Sequence, residues 1–320
     1  MERGNVMTKK KIIILVVAVV CALVIALGCF FAIRAYLKNR NPYTFTVADT
    51  LPDGGGKEVS VILLGGQSNA SGCSLDEYLA KNVSPEKYAE YQNGYDNVYI
   101  NFLSGAHRSG AFVKCATLQG ELVGGFGPEL GIADKLHELY PDRTFFIIKC
   151  AWGGTNLFEQ WLSPTSDGKT GDLYKQFEAY VQASIDYLEK KNYNVKIEGM
   201  CWMQGESDSF SVDDSNAYGE HLGNFIEDVR KRFAEYASDD GIAFIDAYIA
   251  ENPVFWVYYE NVNRGKSEVA ERSDINVVIK TSDLITTEEP ADTPDVPHYD
   301  SLSEIALGHR FAEALAGFLD

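Results

Sequence analysis

The sequence predicts an α/β fold with a central parallel sheet, preceded by one transmembrane helix. Short β-branched runs alternate with longer stretches of helical periodicity. Glycine-rich or polar segments follow most of these runs, and one long uncharged segment lies near the N-terminus. The chain has 320 residues, of which 46% are hydrophobic. A globular domain with a full core is therefore expected.

The uncharged segment covers residues 12–33. Its 22 residues match the length that an α-helix needs to cross a hydrocarbon core of roughly 30 Å. Arg3 and a run of three lysines precede it, and such positive flanks favour a cytoplasmic N-terminus. We therefore expect a cytoplasmic segment at 1–11 and a signal anchor at 12–33, which makes a single-pass protein of the cell membrane with an extracytoplasmic domain. The alternatives are a cleaved signal peptide and a lipoprotein signal ending at Cys29.

Proline and glycine punctuate the next segment, so residues 34–57 are predicted to be a linker and residues 58–320 one domain. From residue 41 onward the chain has 21 Lys or Arg and 45 Asp or Glu, a net charge of −24. This charge would repel a polyanion, so nucleic acid is not expected as a partner. The cysteines show no C-x-x-C spacing, and we expect neither a metal nor a cofactor.

The expected elements alternate along the chain in the order that produces a parallel sheet covered on both faces. The predicted strands are 59–65, 144–151, 196–204, 242–249 and 275–281. The predicted helices are 128–139, 172–190, 215–236, 261–272 and 301–318. In such sheets the functional residues gather beyond the carboxyl ends of the strands.

Four polar motifs follow the predicted strands. "GGQSN" comes after the first, "WGGTN" after the second, "GESD" after the third, and "DVPHYD" after the fifth and a long loop. Each motif alone is compatible with an ordinary turn or helix cap. Because all four would meet at one end of the sheet, together they predict an active site.

The residue types in these motifs suit nucleophilic catalysis by a serine. The Ser68 hydroxyl needs an imidazole to take its proton, and the imidazole needs a carboxylate to orient it. Asp295 and His298 are three residues apart, so both side chains can point into one site from a single turn. His309 is the main rival base. Oxyanion donors would come from the Ser68 N–H, a glycine of "WGGTN" and the Gln204 amide.

The motifs "GGQSN", "AWGGTNLFEQW", "CWMQGESD" and "DVPHYDSLSEIALGHRFA" resemble the SGNH hydrolases in order and spacing. Within these, they resemble the carbohydrate esterases of the sialate O-acetylesterase and acetylxylan esterase type, over about residues 58–319. The resemblance implies a three-layer α/β/α flavodoxin-like fold and an acetylated carbohydrate as substrate. It implies the catalytic residues Ser68, His298 and Asp295, and the oxyanion hole Ser68, Gly153 and Gln204. Gly154 is the alternative to Gly153, and Gln67, Asn69 and Glu206 are possible auxiliary residues.

Two other functions remain open on the same fold. A lipase or thioesterase would have a long apolar acyl pocket, and a glycan-binding module would have lost the chemistry. The negative charge favours a neutral glycan over sialic acid unless an arginine binds the sialate carboxylate. Substrate selection is expected in segments 73–126 and 250–273, where no family pattern is visible. The candidate arginines are Arg108, Arg264 and Arg272, and the tryptophans at or near strand ends are Trp152, Trp161, Trp202 and Trp256, of which Trp202 is expected in the core.

Overall fold

The computed structural model describes residues 41–286, 289 and 296–319. The predicted membrane span at 12–33 and Asp295 lie outside the described residues. Among the residues that are described, no helix has the length and apolar character needed to span a membrane. From residue 43 onward the chain forms one unit.

The secondary structure alternates between strands and helices through most of the chain. The strands are β1 (Glu58–Gly66), β2 (Ser74–Leu75), β3 (Val98–Ser104), β4 (His107–Arg108), β5 (Val113–Lys114), β6 (Gly125–Phe126), β7 (Phe145–Ala151), β8 (Asn194–Met203), β9 (Ala243–Ala247) and β10 (Asn276–Ile279). The helices are α1 (Ser68–Ser71), α2 (Asp76–Asn82), α3 (Pro85–Asn93), α4 (Glu129–Leu139), α5 (Asp172–Lys190), α6 (Val212–Arg232), α7 (Tyr259–Ala270) and α8 (Ser301–Ala316).

The sheet is mainly parallel, as predicted. Its five consecutive strands β7, β1, β8, β9 and β10 pair in parallel and follow the order 2-1-3-4-5 when numbered along the chain. That order is the flavodoxin-like one. β3 extends the sheet beyond β7 in parallel, and β4 and β5 pair with β3 in antiparallel.

The register of the central strands determines where the site lies. Gly66, the last residue of β1, pairs with Ala151 of β7 and with Met203 of β8, which are the last residues of their strands. Three strands therefore end at the same level. The residues that follow them emerge side by side at one edge of the sheet.

Helices cover both faces of the sheet. On one face Trp202 of β8 packs on Phe225 of α6, with ring centroids 4.7 Å apart. On the other face Gly199 of β8 lies against α8, where an added Cβ would come within 2.6 Å of Leu315. Residues 59–66 of β1, 145–151 of β7 and 197–203 of β8 are buried because both faces are covered, which explains the continuous apolar runs of these central strands.

The five predicted strands and five predicted helices all form, with ends that differ from the prediction by a few residues. The prediction missed the short helix α1 and every element of segment 73–126, namely β2 to β6, α2 and α3. β3 contains two polar residues, Asn101 and Ser104, which are both buried, so its run is less clearly apolar than those of its neighbours. The buried side chain of Asn101 has partners for both of its polar atoms. Its Nδ2 donates a hydrogen bond to the Ser184 hydroxyl, and its Oδ1 accepts one from the Tyr180 hydroxyl.

The described part of the predicted linker 34–57 packs onto the domain. The Phe45 ring meets Tyr180 edge-on at 5.0 Å, and Leu51 is 6% exposed. The Tyr187 hydroxyl accepts hydrogen bonds from the N–H groups of Thr50 and Leu51, both at 3.0 Å. Because these residues bury apolar surface and satisfy polar groups against the domain, residues 45–51 do not act as a free spacer.

Candidate active site

Ser68 lies just beyond the carboxyl end of the central strand. The chain turns at Gly66, whose φ is +136° and where an added Cβ would come within 2.0 Å of the Met203 carbonyl oxygen. Only glycine permits this close approach. The turn places Ser68 at the first position of α1, where it is 9% exposed at the floor of a cleft.

The cleft has a volume of about 380 Å³ and brings together residues from distant segments. Ser68, Gly153, Gly154 and His298 all line it, as the motifs predict. Segments 73–126 and 250–273, which show no motif, also contribute to the lining. Their contributions are Cys73, Glu121, Leu122 and Trp256.

Asn69 ties the nucleophile to the segment that carries His298. Its Oδ1 accepts a hydrogen bond from the Tyr299 N–H at 3.2 Å, and its Nδ2 donates to the Pro297 carbonyl at 3.4 Å. Asn69 therefore holds the two residues that flank His298. Nδ2 also donates to Glu206 Oε1 at 2.9 Å. Glu206 is 1% exposed, and burial raises the pKa of its carboxyl.

Replacing Asn69 with alanine is expected to lower kcat about a hundredfold with little change in KM, because a small displacement of a general base has an effect of that order. The measurement is steady-state kinetics on a soluble acetyl ester, alone and in the His298→Ala background. In that background Asn69→Ala should cost little more, since its effect acts through His298.

The matched control is Asn97→Ala. Asn97 also holds two backbone carbonyls, those of Tyr140 and Arg143, but it precedes β3 at the opposite end of the sheet. This variant should lower the melting temperature and leave kcat near that of the wild type. An equal loss of kcat in both variants would mean that Asn69 supports the fold rather than His298.

Gln204, the predicted oxyanion donor, is fully buried, and its amide nitrogen donates to acceptors within the protein. Its Nε2 lies 2.6 Å from Asp208 Oδ2, 3.0 Å from the Thr155 carbonyl and 3.2 Å from Gln67 Oε1. An amide has only two N–H donors, so these acceptors use both. Burial raises the pKa of Asp208 to about 7, although the hydrogen bond from Gln204 lowers it. In this arrangement Gln204 offers no donor to the cleft.

Gln67 has the opposite arrangement. Its Oε1 accepts from Gln204 Nε2 at 3.2 Å, from the Gly205 N–H at 3.3 Å and from the Ser207 N–H at 3.2 Å. Three donors fix the carbonyl end of the side chain, so the amide nitrogen points away from them. Gln67 lines the cleft next to Ser68, and its Nε2 makes no hydrogen bond with any residue that the structure describes.

The two glycines of "WGGTN" also differ. The Gly153 N–H donates to Glu121 Oε2 at 2.8 Å, and the same oxygen accepts from Ser71 Oγ at 2.5 Å. Gly154 has a φ of +66°, open space where a Cβ would lie, and an N–H without a hydrogen-bond partner in the described part of the chain. The Glu121 carboxylate thus accepts the N–H of Gly153, whereas the N–H of Gly154 can still donate to a ligand in the cleft.

His309, two of the candidate tryptophans and the three candidate arginines do not line the cleft. His309 Nε2 is 2.9 Å from Asp134 Oδ2, a contact between α8 and α4 rather than one in the cleft. Trp161 and Trp202 are fully buried with ring centroids 5.2 Å apart, so both belong to the core. No Lys or Arg is found among the described residues that line the cleft, and this applies to the three candidate arginines.

Within the described ranges, no cluster of three His, Cys, Asp or Glu side chains is arranged to hold a metal ion. Asp295 lies outside those ranges, so its position beside His298 stays a prediction. The site therefore contains a serine, a histidine whose two neighbours Asn69 holds, and three donors that no described residue accepts from: the N–H groups of Ser68 and Gly154 and the Gln67 amide.

The model of a family described as carbohydrate esterase, sialic acid-specific acetylesterase, matches residues 58–317. Among curated proteins, no sequence matches the chain.

Solved structures share the fold at low sequence identity. A protein of Arabidopsis thaliana has a TM-score of 0.60 at 18% identity, over 82% of this chain and 100% of its own. NanS has a TM-score of 0.59 at 18% identity, over 84% of this chain and 98% of its own. A carbohydrate acetylesterase of Xanthomonas citri has a TM-score of 0.55 at 17% identity, over 81% of this chain and 56% of its own.

Proposed function

The chain belongs to the carbohydrate esterase family of sialic acid-specific acetylesterases, and we propose that it uses Ser68 to remove acetyl groups from the hydroxyls of a neutral glycan. The observation that carries this proposal is the shared cleft of Ser68 and His298, held together by Asn69 at the carboxyl end of β1.

The reaction proceeds through an acyl-enzyme. The Ser68 oxygen attacks the acetyl carbonyl carbon while His298 takes the hydroxyl proton, and the carbonyl oxygen becomes negative. The C–O bond to the sugar then breaks, and His298 gives its proton to the leaving sugar oxygen. Water, deprotonated by His298, then attacks the carbonyl carbon of the acetyl-serine. The C–O bond to Ser68 breaks, His298 returns the proton to the Ser68 oxygen, and acetate leaves. Asp295 orients the imidazole and stabilises its charged form.

The negative oxygen of the intermediate needs N–H donors that are free to meet it. Ser68 N–H, Gly154 N–H and Gln67 Nε2 meet this requirement, so we assign them to the oxyanion hole in place of the predicted Gly153 and Gln204. Gly153 is unsuitable while the Glu121 carboxylate accepts its N–H, because a second negative oxygen at that donor would be repelled.

The preference for a neutral glycan rests on Glu121. Its carboxylate lies in the cleft, and the described lining offers no Lys or Arg to bind the carboxylate of a sialic acid. The aromatic rings of Trp256 and Phe210, with centroids 5.4 Å apart, provide an apolar wall on which a sugar ring can stack.

The uncharged segment 12–33 supports a second part of the proposal, a membrane anchor that places this domain outside the cytoplasm.

The proposal predicts acetate release from acetylated xylo-oligosaccharides in preference to O-acetyl sialic acids, and faster cleavage of p-nitrophenyl acetate than of butyrate or octanoate. Glu121→Gln keeps an acceptor for Gly153 and removes the charge. We expect it to raise the sialate-to-neutral ratio of kcat/KM about tenfold, less at high salt.

Glu138→Gln, on the exposed end of α4, is the matched control that should not change this ratio. A wild-type enzyme that prefers sialates, with a ratio insensitive to Glu121, would contradict the neutral-glycan assignment. Faster octanoate cleavage would instead indicate a lipase, since Leu122, Phe210 and Trp256 make much of the cleft wall apolar.

A further inference from the structure

A second cavity, of about 590 Å³, is lined in part by the same segment, 152–155, that lines the Ser68 cleft. The segment 152–155 separates the two. Gly153 and Gly154 line the cleft, whereas Trp152 and Thr155, immediately before and after them, line the second cavity. A ligand that reaches past this segment would therefore occupy both spaces at once.

The lining of the second cavity suits a neutral sugar. Trp152 and Phe158, both partly exposed, supply aromatic faces. Glu159, Asp167 and Asp172 supply acceptors for hydroxyl groups. Lys169 is the single positive side chain among the described lining residues, so the cavity is net negative and would repel anionic sugars.

Two chain segments, 152–162 and 167–173, form the walls of the cavity, and hydrogen bonds hold both in place. On one wall, Thr155 Oγ1 donates to the Trp152 carbonyl at 2.7 Å and accepts from Trp161 Nε1 at 2.9 Å. The two walls are joined where the Leu173 N–H donates to the Gln160 carbonyl at 2.9 Å. An added Cβ at Gly171 would come within 2.2 Å of that same carbonyl oxygen. The cavity is thus formed before any ligand arrives, as in most small-molecule sites, and its volume is in their range.

We propose that this second cavity is a glycan subsite that binds sugar units next to the acetylated one. The inference rests on the proposed function and adds the class of substrate, which is a neutral oligosaccharide or polysaccharide rather than a free monosaccharide. The acetylated unit lies over Ser68, and its neighbours pass Gly154 and stack on Trp152 and Phe158.

The test uses Phe158→Ala and chain length. In the wild type, kcat/KM should rise from acetylated xylose to acetylated xylotetraose. In Phe158→Ala, the ratio of kcat/KM for the tetrasaccharide to that for p-nitrophenyl acetate should fall about tenfold, through KM. Leu139→Ala, which removes an exposed apolar side chain at the end of α4, is the matched control and should keep the wild-type ratio.

Calorimetry separates this proposal from the esterase assignment, because binding of unacetylated sugars needs no hydrolysis. Xylotetraose, cellotetraose, mannotetraose and chitotetraose are titrated into Ser68→Ala and into Ser68→Ala/Phe158→Ala. At least one should bind the first variant, and bind the second about tenfold more weakly. Equal affinity for both, or no binding of any of the four, would overturn the subsite. Phe158-dependent binding in a protein that releases no acetate would leave the subsite standing and reject the esterase.

Discussion

Replacing Ser68 with alanine should lower kcat by at least about 10⁴-fold, and His298→Ala should do nearly the same. The serine oxygen forms the covalent acyl bond, and the His298 imidazole takes its proton. Because the two residues act in one step, the double variant should be little worse than either single variant. Acetate release from an acetylated oligosaccharide measures all three.

His309→Ala is the matched control for the base. His309 pairs with Asp134 between α8 and α4, so its loss should lower the melting temperature while leaving kcat within a few-fold of the wild type. An inactive His309→Ala beside an active His298→Ala would reject the assigned base. Asp295→Asn should be the mildest of the triad substitutions, since the carboxylate only orients and stabilises the imidazole.

Replacing Gln67 with alanine should lower kcat about 10²- to 10³-fold with little change in KM, because an oxyanion donor acts mainly in the transition state. Gln67→Glu should be at least as severe, since it places an acceptor where the intermediate carries its charge. These losses test whether the free Nε2 faces the reacting oxygen. Steady-state kinetics on p-nitrophenyl acetate gives kcat and KM without involving the glycan.

Gln204→Ala should reduce kcat less, about tenfold, and should also destabilise the fold. Gln204 positions Gln67 by donating one of the three hydrogen bonds to its Oε1. Its removal also takes one donor from the buried carboxyl of Asp208, which keeps the N–H groups of Leu157 and Phe158. In the Gln67→Ala background, Gln204→Ala should have little further effect on kcat. If instead Gln204→Ala is the more severe single variant and the two effects add, Gln204 belongs in the oxyanion hole as its motif predicts.

The sequence alone determines the alternating α/β architecture and the end of the sheet that carries the site. Apolar runs and glycine turns are local signals, and parallel strands bring their carboxyl ends to one edge. Ser68, Gly154 and His298 could be found in this way because each follows a predicted strand or its loop. β3 could not, since the buried polar residues Asn101 and Ser104 interrupt its apolar run.

Which polar groups face the reacting oxygen was decided only by the tertiary structure. Gln67 and Gln204 have the same side chain, and their sequence positions do not reveal which amide is consumed by buried acceptors. Glu121 lies 32 residues from Gly153, and Asn69 lies 228 residues from Pro297, yet each pair shares a hydrogen bond. Donors and acceptors are matched in space after the chain folds, so no local pattern records which N–H remains free.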